Sequence, residues 1–442
     1  MSDDGIRPEW AEDIRAKRLR RCWTQNDLAK QLELAADART CAGLPGRSSI
    51  IREIRFHEAG AHRPGPVYAE LYRRVWALHP EPTTQQEPEP ISDPLVLAWT
   101  VGRLGQRMDR RTLLQLAATT TAGVALDPAQ RLMLALAGDH RPDDATITYL
   151  EDRTKGFHRL EEHVPGKTLY PALVTHLNEV SALLEAGPSE PHRRRLAIVA
   201  GESAVLAAWF AWEAGDGLSA ATHARLAGFA SNRAEDPPIA ACMGGYRTYM
   251  TGGDRKRSVR LAAHALDQIG DSDPATRAWL LGRHAEEAAL LGDQAGALNS
   301  IREAEDVYAG AEITVRPWTC FLDPGRFASM SLAVYSRLRR PDDAARAMDE
   351  IELHLGPGTE IKKLCVVQAE MALTQYRLGE VSEAVNLARS ALDATTAMAH
   401  PLGWDRLDTV TAEFAGSRDQ TVREFRAEYA ASRPTAKQPS LP

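Results

Sequence analysis

The sequence predicts an all-α protein: a small basic helix-turn-helix head, a Pro-rich linker and a large α-solenoid body of helical repeats. Three observations carry this. Ala, Leu, Arg and Glu dominate the second half of the 442 residues while aromatics are only 6%, a balance that favours helices over sheets. Apolar residues recur at helical spacing between short breaks such as Leu291-Gly292-Asp293, without strand alternation. A segment of about forty residues also repeats, the signature of stacked helix pairs. A chain of this length exceeds one ordinary core and splits into two or three domains.

Taken in order, residues 1–78 form the head. Trp10 to Arg21 reads as an amphipathic helix, with Trp10, Ile14 and Leu19 on one face and Arg15, Arg18 and Arg21 opposite. Thr24 reads as an N-cap and Gln25 to Leu32 as a second helix burying Leu28, Ala29 and Leu32. Gly43, Pro45 and Gly46 mark a loop; Ser48 or Ser49 would cap a third helix over Ile50 to Glu58, which Gly60 closes. Tyr68 to Leu78 makes a fourth helix. Residues 79–94 carry five prolines and four acidic residues, a linker that cannot pack. Residues 95–127 read as connecting helices, one over Arg110 to Leu126; 128–430 as the repeat body; 431–442 as a disordered tail.

Charge separates head from body. Between Ile14 and Arg74 thirteen basic residues face six acidic ones, a net +7, so the remainder carries −14 of the total −7. A basic head on an acidic body points to a polyanion met by the head alone. The five cysteines have no CxxC pair, so neither a disulfide framework nor a zinc site is implied, and a reducing cytoplasm fits. The opening MSDDGIRPEW has no apolar core and reads as no signal peptide. Arg110-Arg111 resembles a twin-arginine export signal, but the apolar run from Thr112 to Leu126 is shorter than the ~20 residues of a membrane span and reads as a buried or connecting helix. No membrane partner is expected.

The repeat aligns on the turns Gly215-Asp216, Gly253-Asp254, Gly292-Asp293, Arg339-Arg340-Pro341 and Gly379-Glu380, in steps of 38, 39, 47 and 40 residues. Seven before each turn stand Ala208, Tyr246, Ala285, Leu332 and Ala372; five after, Ala220, Ser258, Ala297, Ala344 and Ala384; twelve after, Ala227, Ala265, Ala304, Ile351 and Ala391. Residues this small at fixed register are expected where two antiparallel helices cross closely.

Two resemblances follow from these residues. EMALTQYRLGEVSEAVNLARSALD, from Glu370, resembles a tetratricopeptide repeat, with periods longer than the ~34 residues of that unit. TQNDLAKQL followed by IREIRFHEAGAHRP resembles the Xre (Cro/C1-type) helix-turn-helix regulators, with His57-Glu58-Ala59-Gly60 in the place of that family's Trp-Glu-x-Gly box. Relative to the family, Glu33 to Gly46 is an insertion between the two helices, and His57 packs where the Trp would. The combination is similar to the large actinobacterial regulators of this type, whose tails sense ligands or partners; in other bacteria such tails bind short peptides.

The resemblance implies a transcriptional regulator that binds double-stranded DNA through a recognition helix in the major groove. Thr24 and Gln25 would stand where a helix N-terminus favours a phosphate, Gln25 also reaching an adenine edge. Arg52 and Arg55, with Ser48 and Ser49 at the helix start, would read bases, and Arg47 and Arg63 would bind flanking phosphates. A homodimer spanning two half-sites and a peptide, small-molecule or protein effector on the body are expected. The alternative is a protein-interaction scaffold with a vestigial head. Within the body, Arg316 to Phe327 interrupts the repeat at its longest step, so Arg316, Trp318, Phe321, Asp323 and Arg326 are the candidate ligand or partner residues. Trp209, Trp212 and Trp279 read as core. Gly166-Lys167-Thr168 lacks the glycine and the strand of a P-loop and reads as a loop. No catalytic, cofactor or metal motif emerges, so an enzyme is not expected.

Overall fold

A computed structural model describes residues 8–19, 23, 25–37, 44–79, 93–104, 126–138, 141–313, 315–356, 359–434 and 441. Among these, regular structure is twenty α-helices and two short 3-10 turns, without a strand. The proline-rich stretch 80–92 and the expected helix over 110–125 lie outside the described residues, as does Thr24.

Four helices build the head: α1 (Glu9–Leu19), α2 (Gln25–Leu34), α3 (Arg47–Ala59) and α4 (Pro66–Leu78). Their core gathers Ile14, Trp23, Leu28, Ala29, Leu32, Ile50, Ile54, Leu71, Tyr72 and Val75. The expected inner residues Ile14 of α1 and Leu28, Ala29 and Leu32 of α2 are all part of it. Two expectations need correction. The N-cap of α3 is Gly46, with no side-chain cap bond, and Ser48 and Ser49 lie inside the first turn. Arg18 does not share a solvent face with Arg15; it is wholly buried, because its guanidinium is satisfied by Glu58, forty residues on.

The body begins with α5 (Pro94–Leu104), expected as a mere connector. It packs against α7 (Asp144–Leu160), and its Leu97, Ala98 and Val101 join the main body core with Phe157 and Leu160. Between them runs α6 (Leu126–Leu136), followed after α7 by α8 (Gly166–Glu185) and α9 (Glu190–Glu213). Gly166-Lys167-Thr168 is the first turn of α8 rather than a loop. Helix α9 is buried nearly all round from Leu196 to Trp212, so it has no single apolar stripe. Of the described helices it alone is long and apolar enough to cross a membrane, and 89% of that stretch is buried inside the protein.

Beyond α9 the chain advances in antiparallel pairs. Helix α9 pairs with α10 (Gly217–Ala234), α11 (Pro237–Tyr249) with α12 (Arg255–Ile269), and α13 (Pro274–Leu291) with α14 (Gln294–Ala309). Next come α15 (Pro324–Arg337) with α16 (Pro341–His354) and α17 (Ile361–Arg377) with α18 (Val381–Met398). The first helix of each pair also packs on the first helix of the next. Helices α19 (Pro401–Glu413) and α20 (Gln420–Ser432) close the array against α17 and α18. All fifteen aligned repeat positions are buried.

The turn chemistry explains the repeat. Gly215, Gly253, Gly292 and Gly379 have φ between 80 and 91°, the left-handed conformation that ends a helix within one residue. Asp216, Asp254 and Asp293 then accept the backbone N–H three residues on at 2.9–3.0 Å and start the next helix. At the fourth turn Arg339 takes the left-handed conformation with φ 54° and Pro341 opens the helix. Leu441, within the stretch expected to be a disordered tail, is buried and its N–H donates to the Met250 carbonyl at 2.9 Å.

Candidate nucleic-acid interface and effector groove

The orientation of α3 in the head rests on a buried polar chain. Arg18 donates from Nε to Glu58 Oε1 at 2.6 Å and from Nη2 to Oε2 at 3.0 Å, and from Nη1 to the Trp23 carbonyl at 2.5 Å. Gln25 Nε2 donates to the same Glu58 carboxylate at 3.0 Å, and Arg55 Nε donates to Gln25 Oε1 at 3.0 Å. One carboxylate on α3 therefore ties down α1 and the start of α2. Next to Glu58 on α3, His57 fills the core between Tyr68 and Tyr72, its Nδ1 3.1 Å from the Tyr72 hydroxyl. Burial, with the charge of His62 second, pulls the His57 imidazole down to about 4, so it is neutral at physiological pH.

What α3 leaves outside is a stripe. Ser48, Arg52, Arg55, Phe56 and Ala59 are exposed, at the 3–4 residue spacing of one helix face. Of the expected contact residues, Ser48, Arg52 and Arg55 share this face, Ser49 is half-buried beside it, and Arg47 is exposed at its start. The Arg47 guanidinium donates to Glu33 at 2.5 and 3.0 Å, bridging α3 to the end of α2. Gln25 is buried and engaged on both ends of its amide, so reaching a phosphate or base would require leaving Glu58 and Arg55. Arg63 is exposed on a separate groove of about 630 Å³ lined with Trp10, Tyr72 and Trp76. Sequence reading overlooked Phe56, 42% exposed on the stripe. Its signal was available: an apolar residue out of phase with Ile50 and Ile54.

Head and body meet through polar contacts. Asn26 donates to Glu352 at 3.3 Å, and Arg55 lies 3.9 Å from Glu380, the acidic residue of the last repeat turn. A stripe arginine thus faces an anionic group of the body.

In the body, the five candidate residues divide. Arg316 pairs bidentately with Asp236 at 2.8 and 2.9 Å and reaches Asp273 at 3.3 Å. Trp318 is buried and donates from Nε1 to Thr276 Oγ1 at 2.8 Å. Asp323 caps α15 and accepts from Lys363 at 2.5 Å. These three fasten the long loop to its neighbours. Phe321 and Arg326 do line a cavity, of about 60 Å³, with Trp209, Tyr246 and Trp279. That volume admits waters, not an effector. The tryptophans are core, as their spacing implied.

A larger groove of about 910 Å³ opens between α19 and the ends of α9, α11 and α13, and none of the five lines it. Trp212, Tyr249 and Trp404 supply apolar surface, and Arg255, Arg283, Arg337 and Arg406 supply charge. Beneath lie three carboxylates. Arg283 pairs with Glu286 and, at 2.6 Å, with Glu287; Arg406 pairs with Glu370 at 2.6 Å and Glu286 at 3.1 Å. Arg337 reaches Glu370 at 3.1 Å and Arg255 reaches Glu287 at 3.2 Å. Glu213, Asp405, Asp408 and Arg433 also line the groove, so charges of both signs meet there. Burial pushes Glu286 upward, but Arg406 and Arg283 outweigh it and hold the carboxyl at about 2. Arg283 also lies 3.8 Å over the Tyr249 ring. Such a lining, aromatic walls over closely paired charges of both signs, offers a charged ligand arginines for which it would have to compete with their present carboxylates.

Comparison with family models and with curated proteins finds no match for this chain.

Proposed function

We propose that this chain is a sequence-specific DNA-binding transcriptional regulator of the Xre type whose repeat body, resembling tetratricopeptide arrays, takes up a peptide or small-molecule effector and dimerises. The observation that carries the reading is the exposed stripe Ser48-Arg52-Arg55 on a helix whose buried side is held by Glu58 and His57. A rigid helix presenting arginines at one-turn spacing is what major-groove reading requires, since bidentate Arg–guanine pairing tolerates little angular error. The net +7 of residues 14–74 adds the non-specific attraction.

The body supplies the signal. An effector carboxylate entering the groove would draw on Arg255, Arg283 and Arg406, whose present partners tie α13, α17 and α19 together. Any shift among these helices moves the Glu380 turn that faces Arg55, coupling the groove to the head.

The test is footprinting of the DNA upstream of the coding region at moderate salt, with and without Arg52→Ala/Arg55→Ala. The full chain is expected to protect a two-fold symmetric site with steep salt dependence, and the double variant to lose protection while keeping its helical content. Absence of a footprint overturns the regulator reading in favour of a scaffold; a footprint retained by the double variant overturns the assignment of α3.

A further inference from the structure

We propose that Glu53, His57 and His62 form a binding site for a zinc-like divalent transition cation at the C-terminal end of α3. Glu53 and His57 are four apart on the helix and so lie one above the other on the same side. His62 arrives by a reversal. Gly60 takes φ 77°, and the Gly60 and Ala61 N–H groups bond back to the carbonyls of His57 and Phe56 at 3.1 and 3.0 Å. The chain therefore folds back over the last turn of α3 and sets His62 beside both residues.

The geometry fits such an ion. The ligand-capable atoms of the three side chains all lie within 4.8 Å of one another. His62 Nε2 is 3.4 Å from Glu53 Oε2, close to the edge of a tetrahedron with metal–ligand bonds of about 2.1 Å, which is about 3.4 Å. The two imidazole rings stand at 90° with centroids 5.1 Å apart. Closing onto an ion would fall to the exposed His62 and the half-buried Glu53, around the buried His57. His57 already has the support that metal-binding histidines use: Nδ1 meets the Tyr72 hydroxyl at 3.1 Å, leaving Nε2 for the metal.

Two nitrogens and one carboxylate select a borderline ion such as Zn²⁺ over Mg²⁺ or Ca²⁺, which demand oxygen cages. The side occupied by exposed His62 leaves the fourth position to water. Bound there, the ion would staple the last turn of α3 to the segment before α4. It would also replace the single negative charge of Glu53 by a net positive one near Arg52 and Arg55. The metal site stands without the DNA reading; only this electrostatic consequence rests on it.

The experiment uses the full chain, stripped with chelator and titrated with Co²⁺ while the visible d–d bands of tetrahedral cobalt are followed, then with Zn²⁺ in competition. One equivalent of tetrahedral Co²⁺, displaced by Zn²⁺, is expected. His62→Ala and Glu53→Gln should each weaken binding by about 100-fold, and Tyr72→Phe by about 10-fold. His62 and Glu53 lie outside the core, so helical content and metal-free melting should not change in those two variants. Absence of tetrahedral bands in the parent chain overturns the proposal. Binding that survives both His62→Ala and Glu53→Gln also overturns it, by assigning the ion to other histidines. Loss of the footprint with metal binding intact would instead count against the regulator function.

Discussion

Replacing Glu58 by alanine should separate the fate of the head from that of the body. Arg18 is fully buried, and two of its donors end on the Glu58 carboxylate at 2.6 and 3.0 Å. Glu58→Ala takes from the buried guanidinium both of these charged bonds and keeps the one to the Trp23 carbonyl. Stranding one partner of a buried ion pair costs about 3–5 kcal/mol. Gln25 Nε2 loses its acceptor as well, adding about 1 kcal/mol. Against the ~5–15 kcal/mol of a whole domain, the head should become marginal while the body, with its own core, stays folded. Hydrogen exchange followed peptide by peptide reads this directly. Protection in α1, α2 and α3 should fall by about 100- to 1,000-fold or more, and protection in α9 and α13 should not change. The double replacement Arg18→Met/Glu58→Leu removes both charges and should recover most of the loss. The reasoning fails if Glu58→Ala costs less than about tenfold in protection, or if the double variant is as damaged as the single one.

Other measurements probe the remaining links. Glu380→Ala removes the acidic group facing Arg55; the pair is exposed and worth about 0.2–1 kcal/mol, so DNA affinity should rise by about 1.5- to 5-fold and no more, as read by fluorescence anisotropy. Burial pulls His57, His158 and His400 down to about 4 from near 6.5, so the unfolded chain binds more protons than the native one between these values. The stability contributed by these rings should accordingly be complete above pH 6.5 and fall as the pH drops towards 4, against the opposite trend from Glu162 and Glu202, which burial raises to about 8; a urea midpoint whose pH dependence is unchanged by His158→Gln would contradict the burial of that ring. Ala297→Leu places a larger side chain at a fully buried helix crossing and should lower stability by about 1–3 kcal/mol in urea titration, whereas the same change at exposed Ala309 should be neutral. Asp254→Ala removes the cap of α12 and should cost about 1 kcal/mol in the same assay.

The repeat was legible because its physics is local. A left-handed glycine followed by a capping aspartate writes three of the five turns into adjacent letters, and small residues at fixed distances mark the crossings. The inner face of α2 was legible for the same reason. What escaped was every partnership between distant residues. Arg15 and Arg18 look alike in a basic run, and only Glu58 decides that Arg18 goes inside. Gln25 was read as a DNA contact because its position at a helix start suggests one; the carboxylate that holds it is thirty-three residues away. Arg316 looked like a ligand residue because a long loop drew attention to it, while its partners Asp236 and Asp273 lie two and one repeats earlier. The groove arginines were hidden by ordinary helical i, i+3 and i, i+4 pairs such as Arg283 with Glu286 and Glu287, which on an exposed helix would merely decorate the surface.

The Gly–Asp punctuation has a consequence for how such a chain can change. Where a joint is made from a glycine and its capping aspartate, as at Gly215-Asp216, Gly253-Asp254 and Gly292-Asp293, a helix pair can be duplicated or deleted without inventing new chemistry at the seam. One place resists. Arg316 leaves its own loop to bind Asp236 before α11 and Asp273 before α13, so it spans three successive units in a fixed order. It acts as a keystone: lineages could lengthen or shorten this array on either side of it, but the units it clasps must be inherited together.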